Sequence, residues 1–233
     1  MKKIGKSILF VIIVSLVLFI SYKLFFYYYA KNISDKVYAN KDKEFVATIT
    51  TADKQNNINS EVKYLKNENY LKLQRKIDNN MYLDETFQDL KNNTEVTILD
   101  NEKKQANMTI GNFFSGNIFN FLDYKFNEHY KDEKNILNKV KYFLISVANG
   151  SPTIIKTVEY EGKEYYVLIY NYLGQFEEIY CIEKDTYLPF VYIDKTNLTT
   201  MTYDIEIRDV TDEEINYPEL SQYYTTVVGE WHQ

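Results

Sequence analysis

From Ile8 to Tyr22 the chain runs without a charge (ILFVIIVSLVLFISY), and past Lys23 the apolar character continues through LFFYYY to Tyr29. A helix needs about 20 apolar residues to cross a bilayer. Ile8–Tyr29 meets that length, with one lysine near its outer end and Tyr22 and Tyr27–Tyr29 placed for an aromatic belt. An uncleaved anchor in the lipid bilayer is therefore expected. The rival is a cleaved signal peptide: Lys2, Lys3 and Lys6 supply its basic start, but Tyr28 is too bulky for a cut after Ala30, and a cut after Ala39 lies beyond a charged spacer. Lysines on the short tail favour a cytoplasmic N-terminus with the rest of the chain outside, although Lys31 and Lys36 reduce the asymmetry. The expected division is a tail and transmembrane anchor over 1–30, a linker or short helix over 31–43, and an extracytoplasmic domain over 44–233.

Beyond the linker the period of the pattern is two. Phe45–Thr50 is β-branched, Glu61–Leu65 and Tyr70–Leu73 flank a turn at Lys66–Asn69, Met81–Phe87 reads as a weaker strand, and Val96–Leu99 pairs with Ala106–Ile110 across Asp100–Lys104. The period then becomes helical. Ile118, Phe121, Leu122 and Phe126 predict one amphipathic helix; Ile136, Leu137, Val140, Leu144 and Val147 predict a second, with Asp132 as its N-cap and Asn149–Pro152 as its stop. Both apolar stripes are expected to cover a face of the sheet. Strands return over Thr153–Tyr160, Tyr165–Tyr172, Glu178–Glu183 and Phe190–Asp194, and Met201, Tyr203, Ile205 and Ile207 alternate with polar residues. Thr211–Glu214 has capping-box spacing, so its acids mark a helical turn. The fold class expected is α+β: a transmembrane helix, then a curved antiparallel sheet covered by amphipathic helices.

Composition removes more functions than it suggests. With 27 basic and 33 acidic residues the net charge is −6, and the absence of a basic block argues against nucleic acid. The lone Cys181 leaves no intramolecular disulfide and no cysteine zinc cluster, and no metal or cofactor is expected. Every histidine mechanism must use His129, at the close of a predicted helix, or His232, beside the C-terminus; both read as structural or solvated. Acid pairs such as Glu177/Glu178 and Glu159/Glu161 have glycosidase chemistry, yet on strands they mark a wet sheet face. Cys181 alternates with Ile179 among acids that give it no electropositive neighbour, so it reads as core. The protein is not expected to be an enzyme. A helix-capped curved sheet instead encloses an apolar cavity or offers an edge for strand addition. Phe113, Phe114, Ile118 and Phe119, in a glycine-containing stretch entering the first predicted helix, are the candidates for the cavity lip, against the alternative that they are ordinary core.

Two segments carry a resemblance. Tyr180–Pro189 (YCIEKDTYLP) is similar to a "strand, D-x-x-T-x-L-P" turn, with Glu183 in the place of the aspartate, and Val210–Leu220 (VTDEEINYPEL) is similar to a closing "V-x-D-x-x-I-x-x-P-D-L". Together these resemble the LolA-like superfamily, the lipoprotein-carrier fold, in the Gram-positive branch of YdcC-like sporulation proteins and GerS-like germination lipoproteins. The resemblance implies a half-open barrel plugged by helices that acts by binding. In the carrier the ligand is an acyl chain; in the germination branch the implied partner is a peptidoglycan amidase of the spore cortex. Here a transmembrane helix stands in place of a lipidated cysteine, which favours a fixed accessory over a shuttle. The leading expectation is protein partnership, the alternative is lipid or lipoprotein binding, and a carboxylate-based hydrolase comes third.

Overall fold

In the computed structural model of the chain, described over residues 2–77, 80–100, 102–111, 118–126, 129–172 and 176–231, the first element is one unbroken helix, α1 (Lys2–Tyr38). Its two halves have different surroundings. Ile8–Ile20 expose their apolar side chains, whereas Tyr27, Ala30, Ile33 and Val37 are 0–3% exposed. Spacings of three and four residues put the latter on one face, with Ser34 between them. Residues 31–43, expected as a linker or short helix, are thus the continuation of α1 followed by a 3₁₀ turn at Ala39–Asp42. Their inner face is core, and the folded unit begins near Tyr22 rather than at Glu44. Among the described residues this helix is the one long and apolar enough to cross a membrane.

The rest is a single unclosed, curved sheet of twelve strands. β1 (Phe45–Asp53), β2 (Ile58–Lys66), β3 (Tyr70–Ile77), β4 (Asn80–Asp89), β5 (Thr94–Asp100) and β6 (Gln105–Gly111) form one antiparallel meander. After α2 (Ile136–Gly150), strands β7 (Ile154–Tyr160), β8 (Lys163–Tyr172), β9 (Phe176–Glu183), β10 (Pro189–Asp194) and β11 (Thr199–Ile207) form another. The meanders join where β11 runs antiparallel to β1, Ile49 opposite Tyr203. A short α3 (Asp212–Ile215) leads to β12 (Tyr224–Trp231), which adds parallel to β6. β7 and β12 are the sheet edges.

Three of the hairpin turns share one device. Asp53, Asp89 and Asp194 each accept the backbone N–H groups two and three residues on through Oδ1, at 2.9–3.0 Å. Each also accepts an asparagine side-chain amide, from Asn56, Asn92 or Asn197, through Oδ2 at 2.7–2.8 Å. The next residue then takes positive φ: Asn57 at 53°, Asn93 at 51°, Leu198 at 52°. Asparagine tolerates that backbone and its amide rebuilds the turn's hydrogen bonds. Between β7 and β8 the turn is Glu161–Gly162, both at positive φ (51° and 76°), the geometry a two-residue hairpin of matching twist requires.

Alternation along β1 sends Phe45 and Ala47 to one sheet face and Val46 to the other, and each face has its own core. On the first, Leu168, Tyr170, Tyr180 and Ile182 pack against the inner face of α1 and against Ile118, Phe119, Phe121, Leu122 and Phe126. On the second, Leu65, Phe87, Val96 and Ile98 are covered by Val210 and Ile215, with Tyr217 packed alongside. The predicted helix at 118–126 does not form: the chain makes successive 3₁₀ turns at Ile118–Asn120, Asp123–Lys125 and His129–Lys131. Asn120 and Asp123 interrupt the apolar positions there, and such residues favour turns over helix interiors. α2 starts one turn later than expected, because the Asn135 side chain rather than that of Asp132 accepts the N–H groups of Leu137 and Asn138.

The α1–α2 contact is tight. A Cβ added at Gly150 would lie 2.8 Å from the Tyr27 ring, and the Tyr27 hydroxyl meets Ser146 Oγ at 3.1 Å. α3 carries the expected capping box, Thr211 with Glu214, and Glu214 also receives Arg208 Nη2 at 2.7 Å. The Arg208 guanidinium, helped by the Thr211 N–H, holds the Glu214 carboxyl at about 2.

Tyr27→Ala will cost about 3–5 kcal/mol by thermal or chemical denaturation, as buried aromatic truncations do, and Gly150→Ala will lower the melting temperature by crowding the same ring. A chain begun at Lys31, which lacks Tyr27 and Ala30, will melt well below one begun at Tyr22; equal melting would show that the first half of the inner face is dispensable. Because the Glu214 pKa is depressed on folding, its stabilising contribution is present above the unfolded value near 4.3 and fades as pH falls toward about 2. In Glu214→Gln that portion of the acid dependence disappears from the pH series of melting curves.

Candidate functional site

The residues expected at a cavity lip separate into two groups. Phe113 and Phe114 lie outside the described residues. Ile118 and Phe119 are 7% and 1% exposed, and Phe119 stands edge-to-face on Phe45, centroids 5.3 Å apart and planes at 85°. Around them this face of the sheet carries the protein's own aromatic side chains. Phe121 sets its edge against Tyr180 (5.2 Å) and Tyr203 (5.1 Å), Phe126 against Tyr27 (5.6 Å), and Leu122 is fully buried.

Within that packing sits a charged cluster that periodicity did not single out. The 3₁₀ turn at Asp123–Lys125 points Lys125 inward, where it is 8% exposed and forms an ion pair with Glu178 of β9. Its ammonium lies 5.2 Å from the centroid of Tyr170 and 5.8 Å from that of Tyr180, within reach of the ring faces. Glu178 Oε1 accepts the Tyr192 hydroxyl at 3.2 Å and the Tyr180 hydroxyl at 3.5 Å. Burial pushes the phenols of Tyr180, Tyr192 and Tyr203 up, so they remain protonated donors at neutral pH. The one sequence signal for this cluster was a lysine inside an otherwise apolar, aromatic stretch. Chemically it is a bolt between the turn segment and β9, since the carboxylate's acceptors are taken by donors of the protein itself.

The Glu177/Glu178 carboxylates do not face each other. Glu177 and Glu178 are consecutive on β9 and point to opposite faces, Glu178 to Lys125 and Glu177 to Lys195 at 2.5 Å. Cys181 is partly buried opposite Val167 and Val191, and burial pushes its thiol up, away from the reactive thiolate. His129 begins the last 3₁₀ turn, and His232 lies outside the described residues. No group of three or more His, Cys, Asp or Glu among the described residues is placed to hold a metal ion. An open cleft of about 660 Å³ does lie between that turn and α2, but its walls are mixed: Asp132, Glu133 and Lys134 beside Tyr130, Tyr142 and Ile145.

No protein-family model matches the chain, and no curated protein sequence matches it. Solved structures of similar shape include an uncharacterised conserved protein from Thermus thermophilus, at 11% identity and TM-score 0.49, which covers 84% of this chain and 99% of that one. MucB in complex with MucA is similar over 82% of this chain and 60% of that one, at 9% identity and TM-score 0.41. A LolA superfamily protein from Nitrosomonas europaea is similar over 80% and 96%, at 11% identity and TM-score 0.28.

Removing one partner of a buried ion pair leaves the other charge uncompensated and costs about 3–5 kcal/mol. Lys125→Met and Glu178→Met will each show that loss in denaturant titrations, and the double variant Lys125→Met/Glu178→Met will cost clearly less than the two together. Strict additivity would show that the two side chains are not coupled.

Proposed function

We propose that this chain is a non-catalytic, membrane-held protein of the extracytoplasmic face that acts by binding a protein partner. The observation that carries this is the packing on the first sheet face, where Tyr27, Phe119, Phe121, Leu122 and Phe126 form core at 0–8% exposure among the described residues. What the fold leaves available is on the outside. β7 is an edge strand with an open row of backbone groups, and Ile154, Val158 and Tyr160 project from it into solvent, a ready acceptor for an added strand. The anchor supports a stationary accessory, because a spanning helix does not leave its membrane.

The finer reading draws on the resemblance of Tyr180–Pro189 and Val210–Leu220 to LolA-like proteins of the germination branch. On that reading the partner is a cell-wall amidase, activated when it docks, in the spore envelope of a Gram-positive cell. The matched residues sit in the β9–β10 turn and in the cover of the second core, so they supply the scaffold of that reading and not its contact residues.

Native mass spectrometry of the full chain released from detergent micelles, after co-expression with candidate envelope amidases, tests both levels. The expected result is a protein–protein assembly with no retained acyl mass. A retained acyl species with no protein partner would overturn partnership in favour of lipid binding, and assembly with an envelope protein other than an amidase would overturn only the finer reading.

A further inference from the structure

α2 is a good helix on the wrong face. Its side chains toward the core are Phe143, Ser146, Val147 and Gly150. The apolar stripe expected to cover the sheet is mostly outside: Leu137 is 80% exposed, Ile136 76%, Val140 52% and Leu144 51%. Residues 137, 140, 144 and 148 recur at helical spacing along one side of the core-facing line, so the exposure is a continuous strip about three turns long. Among the described residues nothing on the sheet reaches it, because Tyr27 and Phe126 already occupy the space between α2 and the strands.

Two further observations say what does. The first is position. Ser151 Oγ donates to the Lys23 carbonyl at 2.7 Å, Tyr22 donates to the Thr153 carbonyl at 3.2 Å, and Tyr27 holds Ser146. The C-terminal end of α2 is therefore fastened to α1 at the level of Lys23, where the bare apolar surface of Ile8–Ile20 begins. The exposed rings of Tyr22, Phe25, Tyr28 and Tyr29 surround that level, as at a membrane–water interface. The second is charge. In a chain of net charge −6, α2 carries Lys139 and Lys141 and no acid. Before it, Asp132 and Glu133 are offset by Lys131 and Lys134.

We propose that α2 is a second membrane contact: an amphipathic helix seated in the headgroup layer of an anionic bilayer, with Leu137, Val140 and Leu144 in the acyl boundary and Lys141, which borders that strip, on the phosphates, while Lys139 donates to the Lys131 carbonyl at 3.3 Å. An apolar face bordered by lysine is the pattern of interfacial helices, and a basic residue near an anionic surface adds to the attraction. The anchor supplies the high effective concentration that lets a short strip bind. The inference rests on α1 spanning the membrane, and it fixes how the sheet is presented: held at two places, the domain cannot swing about α1.

The test uses the full chain in vesicles of phosphatidylcholine and phosphatidylglycerol, with Cys181→Ser as background, or Cys181→Ala where the serine destabilises. Single cysteines replacing Leu137, Leu144, Phe10 and Asn197 carry an environment-sensitive fluorophore. Labels at Leu137 and Leu144 will be blue-shifted and quenched by nitroxide lipids, as at Phe10, whereas the label in the Asn197 turn will report water. Adding Lys141→Glu will reduce the quenching at Leu137 in anionic vesicles. Water-like emission at Leu137 and Leu144 with a quenched Phe10 label would overturn this inference and leave the anchor standing. A water-like Phe10 label would overturn both. A dry but unquenched strip would show that protein, rather than lipid, covers α2, and would also overturn it.

Discussion

The whole structure depends on one helix with two kinds of surroundings. α1 exposes its apolar side chains all round over Ile8–Ile20, and from Tyr27 onward it buries one face in the core of the sheet. A helix that crosses a bilayer needs no amphipathic face, because lipid surrounds it; a helix that packs on a sheet needs one. Tyr27, Ala30, Ile33 and Val37 supply it. Because α1 is unbroken from Lys2 to Tyr38, the sheet is built on the end of the same helix that carries the exposed apolar run. This constraint also bears on α2: where Tyr27 fills the space under it, α2 contributes the small residues Ser146 and Gly150 to the contact, while Leu137, Val140 and Leu144 stay outside.

The interior gains specificity from features that are costly to bury. Lys125 and Glu178 are retained inside an aromatic cage, where an unpaired charge would be strongly unfavourable. The Lys125 ammonium is met by the carboxylate and two ring faces, and the carboxylate by the Tyr192 and Tyr180 hydroxyls as well. Such a network fixes the register of the 3₁₀ segment on β9 in a way that aromatic packing alone, with several near-equivalent arrangements, does not.

Much of the sheet was legible in sequence, because alternation and turn residues are local signals. The pairing of Val96–Leu99 with the strand before Gly111, the Glu161–Gly162 hairpin and the Thr211–Glu214 cap all follow from residues within a few positions of one another. Three things were not local. The inner face of α1 was hidden because Tyr27 and Ala30 lie inside a uniformly apolar run, although the spacing 27, 30, 33/34, 37 was present. The 118–126 segment had helical spacing but takes 3₁₀ turns, its path set by partners on β9 and β11 that are distant in sequence. The helix at 136–150 was legible, and the face it uses was not, since that depends on Tyr27. Asparagines recur in the Asp-x-x-Asn turns and at three of the positive-φ positions, Asn57, Asn93 and Asn216. Of the candidate lip, Ile118 and Phe119 were recognisable as apolar, but only their three-dimensional neighbours show them as part of the plug.

The second half of α1 is, on this structure, an integral part of the domain core. Hydrogen–deuterium exchange of the full chain in lipid nanodiscs measures this directly, since amides within one cooperative unit open together. Amides of residues 27–38 are expected to exchange as slowly as those of β8 and β9. Exchange there at the rate of the exposed hairpin turns, with β8 and β9 still protected, would show a helix that only rests on the sheet, and would contradict it.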